Sequence, residues 1–410
     1  MSTPGCRFCG APLELVLADL GSSPLANSYL PPAALAGAER FFPLRTLVCT
    51  RCWLAQLPAA ATPEEIFSDY AYFSSFSESW LAHARDYVAM ASERFALGGE
   101  SLVVEVASND GYLLRWFAAR GVPVLGIEPA ANIAPAAEAA GVPTLVRFFG
   151  SALARELAGA GKRADLLLGN NVLAHVPDLV DFVAGLKLLL APDGALTMEF
   201  PHLVRLVEGN QFDTIYHEHF SYFSLVAVER VFAAAGLTLF DVEELPTHGG
   251  SLRIFARHTE SDRFPVSPRV GELAARERAL GVESAAWYEG FAERVRETKR
   301  GLLDFLIRER RAGRTVAGYG APAKGNTLLN YCGIRTDLLD YTVDRSPHKQ
   351  GHFLPGTRIP IHAPERIFET KPDYLLILPW NLRREIATQM AGIREWGGRF
   401  VVAIPEVEVF

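Results

Sequence analysis

The stretch Leu102-Val-Val-Glu-Val-Ala-Ser-Asn-Asp-Gly-Tyr112 reads as a buried strand that breaks into a tight turn and re-forms as a helix to Ala119. Six largely apolar β-formers are enough for a strand and too few for a helix. Ser108, Asn109, Asp110 and Gly111 then supply turn chemistry. A second strand, Pro123-Val-Leu-Gly-Ile127, ends in Glu128-Pro129. A strand, a turn, a helix and a strand tipped by an acid, within about thirty residues, open a parallel nucleotide-binding sheet. The turn lets backbone N–H groups approach a ligand, and the acid suits ribose hydroxyls. The turn lacks the G-x-G-x-x-G spacing that a dinucleotide pyrophosphate requires. A ligand with a ribose and no phosphate, such as S-adenosylmethionine, fits it better.

The chain on either side extends this pattern. Downstream come the strand Asp165-Leu-Leu-Leu-Gly169, the pair Asn170-Asn171, His175-Val-Pro177 and a helix to Leu190. A Pro192-Asp-Gly194 turn leads into the strand Ala195-Leu-Thr-Met-Glu-Phe200, a rhythm common in methyltransferase sheets. Ser224 to Gly236 is an amphipathic helix closed by a glycine cap. Leu237–Leu245 and Gly250–His258 read as paired strands around Pro246-Thr-His-Gly-Gly250, a turn able to carry His248 into a pocket. Residues 270–312 are a charged helical region expected to link domains. The last hundred residues restart an α/β pattern. There, Arg314 to Asn326 is a strand running into a Gly-rich turn with Lys324 at a helix start, a ready anion site. Upstream, residues 60–98 look helical, interrupted by the polar-aromatic patch Asp69 to Phe76.

Near the N-terminus, Cys6-x2-Cys9 and Cys49-x2-Cys52 are separated by 39 residues. Two such pairs supply four thiolates to a tetrahedral Zn2+, and a filled ligand set is structural. Cys332 is left over and expected to be a buried apolar side chain. The net charge of −7 argues against a nucleic-acid groove. No apolar run reaches membrane-spanning length and no secretory leader is visible, so a cytoplasmic protein is expected.

One stretch calls for chemistry: Gln211-Phe-Asp-Thr-Ile-Tyr-His-Glu-His-Phe-Ser-Tyr-Phe-Ser224. Two histidines, a glutamate and five aromatic rings side by side suggest a walled, water-poor pocket holding a base. The blander reading is an aromatic strand whose histidines are satisfied by hydrogen bonds. Three rival functions remain open on the residues alone. One is a metal enzyme using His217, Glu218 and His219. The second is an NAD-dependent sugar-nucleotide oxidoreductase or epimerase, and the third a non-catalytic zinc scaffold.

Taken together, the cysteine pairs, Glu105 to Gly111, Tyr216-His-Glu-His-Phe220, His248-Gly-Gly250, Gly318-Tyr-Gly-Ala-x-Ala-Lys324 and Pro405-Glu406 resemble the sugar C-methyltransferases of antibiotic deoxysugar pathways. Those enzymes act at C3 of nucleotide-linked 4-keto-deoxyhexoses. The resemblance spans nearly the whole chain. It implies an α/β fold with a zinc-binding domain at 1–60 and a Rossmann-like S-adenosylmethionine domain at 61–262. A Rossmann-like domain at 263–410 would contribute to sugar-nucleotide binding. His219 would be the base, with Tyr216, Glu218, His175 and Tyr72 around it. Glu105, Ala107, Asn109, Asp110, Gly111, Glu128, Pro129, Asn170 and Asn171 would hold the methyl donor. His248, Gly249, Gly250, Tyr319, Gly320, Lys324 and Asn326 would hold the sugar nucleotide, expected to be dTDP-linked. Phe200-Pro-His202 replaces the Asp-Pro-Tyr of some members, which leaves the exact sugar open. A monomer is compatible with the sequence.

Overall fold

The computed structural model describes residues 4–67 and 73–410. They form two compact units, each assembled from separate stretches of chain. Unit 1 takes the residues up to Glu14, then Val48–Leu203 and Phe220–Ser284; unit 2 takes Leu15–Leu47, Val204–His219 and Ala285–Phe410. These units cut the chain differently from the consecutive stretches 1–60, 61–262 and 263–410. The excursion between the two cysteine pairs packs with the C-terminal α/β fold, and the His-Glu-His stretch is divided after His219.

Among the described residues, unit 1 is built on a seven-stranded sheet. Its strands are β1 (Val103–Val106), β2 (Val124–Ile127), β3 (Thr144–Leu145), β4 (Ala164–Asn170), β5 (Leu190–Pro201), β6 (Leu237–Leu245) and β7 (Ser251–His258), in the order β6-β7-β5-β4-β1-β2-β3. β1 to β5 pair in parallel, and β7 is inserted antiparallel between β5 and β6. Every residue of β1 is buried, as expected of a central parallel strand covered on both faces. One cover is the helix Glu78–Arg94, whose N-terminus is capped by the Ser77 hydroxyl. It buries Trp80, Ala84, Tyr87, Val88 and Ala91 against the strand residues Val103, Leu166 and Phe255.

One expectation is corrected here. Pro192-Asp-Gly194 is not a turn ahead of a strand. The helix stops at Leu189, β5 begins at Leu190, and the pairing with β4 jumps from Ala164↔Leu190 to Leu166↔Ala195. The extra residues are absorbed as an exposed bulge inside the strand. Residues 270–312 are helical and cross from unit 1 to unit 2, as expected. Left-handed Gly281 and Gly290 divide them into helices Pro268–Leu280, Ala285–Tyr288 and Phe291–Arg311. The first packs in unit 1 and the other two in unit 2.

Unit 2 carries a second sheet, of β8 (Val316–Tyr319), β9 (Thr342–Val343), β10 (Ile361–His362), β11 (Tyr374–Ile377), β12 (Arg399–Val402) and β13 (Glu408–Val409), in the order β10-β9-β8-β11-β12-β13. Its pairs are parallel except the last. The strand expected to open at Arg314 is present as β8, and the α/β pattern continues beyond it as expected. Cys332 closes the helix Ala323–Cys332 as a buried free thiol. No helix of the described residues is long and apolar enough to cross a membrane.

Candidate active site

In unit 1 the carboxyl ends of β1, β2 and β4 collect the predicted donor residues. Beyond β1, Ala107, Asn109 and Gly111 all have positive φ, 58°, 49° and 74°. Two non-glycine residues in the left-handed region mark a strained turn of the kind found at ligand sites. At Gly111 a Cβ would meet Val142 at 3.0 Å, so the position is closed to larger residues. The acid at the tip of β2 ties this turn down. Glu128 accepts from Asn109 N at 3.0 Å and from Ala130 N at 2.9 Å, while Pro129 continues the chain beside it. Glu105 is fully buried, and neither of its oxygens has a hydrogen-bond partner among the described residues. Burial pushes its pKa well above the usual carboxylate range, and the nearby Asp110 and Glu128 charges add to the rise. Asp110 Oδ1 and Asn171 Oδ1 are likewise buried acceptors without a partner among the described residues. Unmet buried acceptors are costly. Clustered at the carboxyl ends of parallel strands, they match a ligand rich in donors, as the ribose hydroxyls and ammonium of S-adenosylmethionine are. The residues present therefore fit that cofactor.

Next to this cluster, Asn170 Nδ2 donates to the Tyr112 hydroxyl at 3.4 Å, and Asn171 Nδ2 donates to His248 Nε2 at 3.2 Å. His248 sits at φ 53° in the turn before Gly249 (φ 91°) and Gly250 (φ 120°). The turn thus brings His248 to Asn171. His175 also lies in unit 1, at the end of a 3-10 turn, with Phe67 at 5.5 Å; burial pushes its pKa down to about 4. Tyr72 lies outside the described residues. His202 is 3% exposed, and its Nε2 lies 2.7 Å from Glu277 Oε1, in the core.

Unit 2 carries the other half of the predicted residues. His219 is buried and its Nδ1 lies 2.9 Å from the Thr214 carbonyl. A carbonyl only accepts, so Nδ1 carries the proton and Nε2 is left as a lone-pair base. The Tyr216 ring lies 4.0 Å from the imidazole, and Asn27 Nδ2 donates to Glu218 Oε1 at 2.7 Å. His217 behaves differently: its Nε2 meets the Pro43 carbonyl at 3.2 Å and its ring packs on Phe42. Its Nδ1 is buried without a partner among the described residues, so the bland reading holds for one ring nitrogen only.

The Gly-rich turn follows β8. At Gly320 (φ 89°) a Cβ would strike Pro379 at 2.6 Å, so only glycine fits. Lys324 Nζ donates to Asn381 at 2.8 Å and lies 4.9 Å over the Trp380 ring. Burial lowers its pKa, and Asp213 raises it in part. Asp213 is buried and accepts from Trp380 Nε1 at 2.7 Å; burial pushes its pKa up to about 6. The turn's Ala321 N–H is already held by Asp344 at 2.7 Å. Asn326 Nδ2 donates to the Ala26 carbonyl at 2.6 Å, and the Tyr319 hydroxyl donates to Gln389 at 3.2 Å.

The four cysteines of the two pairs lie in unit 1, their sulfurs all within 4.8 Å of one another, with Cys6–Cys52 and Cys9–Cys49 at 3.5 Å. All are free thiols. Sulfurs bound to one zinc at about 2.3 Å are spaced in this way. Gln56 Nε2 donates to Cys6 Sγ at 3.2 Å and supports the set from outside. Among the described residues this is the only cluster of ligand atoms that converges on a metal-sized point. The ligand atoms of His217, Glu218 and His219 do not.

Sequence reading missed a buried network around Glu199, which accepts from His83 at 2.8 Å, Arg253 at 2.7 Å and Thr247 at 2.9 Å. The signal was present as two charges, Glu199 and Arg253, inside otherwise apolar strands. Asn27 was missed as well, because nothing local ties it to Glu218 191 residues away.

A sheet with one reversed strand near its edge, a strained donor turn and a converged cysteine set define an S-adenosylmethionine-dependent methyltransferase with a zinc-binding domain. Three family models match in succession: a zinc binding domain over residues 6–67, a methyltransferase domain over 80–242, and a C-methyltransferase C-terminal domain over 246–405. The chain is 42% identical over 407 residues to C-methyltransferase NovU of Streptomyces niveus, covering 98% of this chain and 96% of the relative. It belongs to this C-methyltransferase family. Among solved structures, a Burkholderia thailandensis 1,6-didemethyltoxoflavin-N1-methyltransferase aligns at 22% identity over 50% of this chain and 95% of its own, with a TM-score of 0.36. The PH0226 protein of Pyrococcus horikoshii aligns at 15% identity over 48% and 97%, with a TM-score of 0.38. The fold assignment rests on the strand order and not on these two.

Proposed function

We propose that this C-methyltransferase acts on a nucleotide-linked 4-keto-deoxyhexose, dTDP-linked, and methylates C3 through an enolate with His219 as base. The observation that carries the reading is the Nδ1 contact of His219 to the Thr214 carbonyl, which makes Nε2 the basic nitrogen of the neutral ring. A C–H beside a ketone is acidic enough for imidazole only if the developing enolate charge is stabilised. Tyr216, against the ring, and His175 are the proposed neighbours of that oxygen, with Tyr72. Glu218, held by Asn27, would orient a sugar hydroxyl. Lys324 would offset the diphosphate, and His248, Gly249, Gly250, Tyr319, Gly320 and Asn326 would shape the remaining acceptor contacts. On the donor side, Glu105, Ala107, Asn109, Asp110, Gly111, Glu128, Pro129, Asn170 and Asn171 would hold S-adenosylmethionine, which supplies an electrophilic methyl group. The proton leaves C3 for Nε2, a new C–C bond forms at C3, and the sulfonium S–CH3 bond breaks to leave a neutral thioether. The product keeps its ketone, and the imidazolium later returns its proton to solvent.

The test is mass spectrometry of products from S-adenosylmethionine and dTDP-4-keto-6-deoxyhexoses, with His219→Asn as control. The expected result is a gain of one methyl group on the sugar, reduced about 10³-fold in the variant. An unmodified sugar with the donor still bound would overturn the acceptor class; full activity in the variant would overturn the base.

A further inference from the structure

Glu199 is fully buried, at the end of β5. Pairing across the sheet puts it in a row with Asn170 on β4, Arg253 on β7 and, beyond that, Glu243 on β6. Arg253, itself 4% exposed, bridges Glu199 and Glu243 at 2.7 and 3.1 Å and lies over the Tyr87 ring. One guanidinium between two carboxylates keeps Glu199 ionised: burial alone would raise its pKa, but the His83 hydrogen bond and the Arg253 charge bring it below the ordinary value. A buried charge with this many partners holds its neighbours in one geometry.

Two arms leave the carboxylate. Along one, the Thr247 hydroxyl donates to Oε1 at 2.9 Å. Thr247 begins the turn in which His248 adopts φ 53° and meets Asn171. A left-handed histidine persists only where its surroundings impose it, and this hydrogen bond is one such restraint. Along the other arm, His83 donates to Oε2 at 2.8 Å and stacks on Trp80 at 4.9 Å. Trp80 stacks in turn on Tyr112 at 5.9 Å and lies 5.0 Å from His248. Tyr112 follows the donor turn directly and is bonded to Asn170. Both arms therefore end on the asparagines at the tip of β4.

We propose that Glu199 is a positioning residue of the donor site, a single buried carboxylate that fixes the Trp80–Tyr112 wall and the His248 turn against Asn170 and Asn171. The inference rests on the reading of those asparagines as donor contacts, and not on the identity of the sugar. Calorimetric titration with S-adenosylmethionine tests it without an acceptor. Thr247→Val, which keeps the side-chain shape, is expected to weaken binding at least threefold, and Thr247→Ser to restore it. Glu199→Gln is expected to lose tenfold or more; if it fails to fold, the threonine pair carries the test. Asn171→Ala should weaken binding too, and adding Thr247→Val to it should cost nothing further. Wild-type affinity in Thr247→Val, or losses that multiply in the double variant, would overturn the role of Glu199. Wild-type affinity in Asn171→Ala would remove the donor-contact reading itself, and the inference with it.

Discussion

At the scale of single residues, the chemistry depends on which groups are charged, and burial decides that. Asp213 is buried, His175 is half-buried with its ring against Phe67, and the two respond in opposite directions. The carboxyl of Asp213, raised to about 6 from an ordinary 3.8, destabilises the folded state above pH 6, a cost that fades as pH falls toward 3.8. His175, lowered to about 4 from 6.5, is neutral when folded, so its contribution is intact above 6.5 and is lost as pH falls toward 4. Between about pH 4 and 6.5 the two slopes oppose each other, and the wild-type profile is expected to be nearly flat. Asp213→Asn should expose a rise of stability with pH, and His175→Leu a fall, each on the order of 3 kcal/mol across the window. Denaturant melts at pH 4.5 and 7 check this; parallel profiles for all three proteins would show that neither group carries the assigned shift.

At the scale of elements, helix ends are satisfied by distant side chains. The helix Leu225–Ala234 has the Ser224 cap that the sequence announces. It also receives Glu277 from the helix Pro268–Leu280, whose carboxylate accepts from Leu225 N at 2.8 Å and Val226 N at 2.9 Å and pairs with His202. A carboxylate at a helix N-terminus offsets the macrodipole and fills orphan N–H groups. Glu277→Ala leaves those groups and His202 unmet in the core and is expected to cost about 3 kcal/mol, read as a drop in thermal midpoint. Glu277→Gln, which retains one acceptor, should lose about half as much. Equal midpoints for wild type and Glu277→Ala would show that the cap is idle.

At the scale of the whole molecule, the zinc site holds structure and leaves chemistry to other residues, because four sulfurs fill a tetrahedral set. Elemental analysis should find one zinc per chain, and Cys49→Ser should lose it. Exchange for cadmium, which takes the same thiolate set, is expected to keep both the thermal midpoint and methyl transfer. A cadmium protein that folds but does not turn over would mean that the metal takes part in the reaction.

The sequence alone determined what is local or periodic. The strand and turn from Leu102 to Gly111, the acid at Glu128, the cysteine pairs and the Ser224-to-Gly236 helix all have signals within a few residues of one another, and the fold class follows from their order. Sequence also picked out His219 by its company and, through the family resemblance, ahead of His217. What only the tertiary structure shows is which backbone carbonyl each ring meets, Thr214 for one and Pro43 for the other. Strand register decided the rest. Whether Glu199 faces Arg253, or Asn27 reaches Glu218, depends on pairings between residues tens to hundreds of positions apart, and no spacing rule along the chain encodes those. The Pro192-Asp-Gly194 bulge shows the same limit from the other side. A perfect local turn signal was overruled because β4 continued to pair on either side of it, and ladder hydrogen bonds outweigh the preference of three residues.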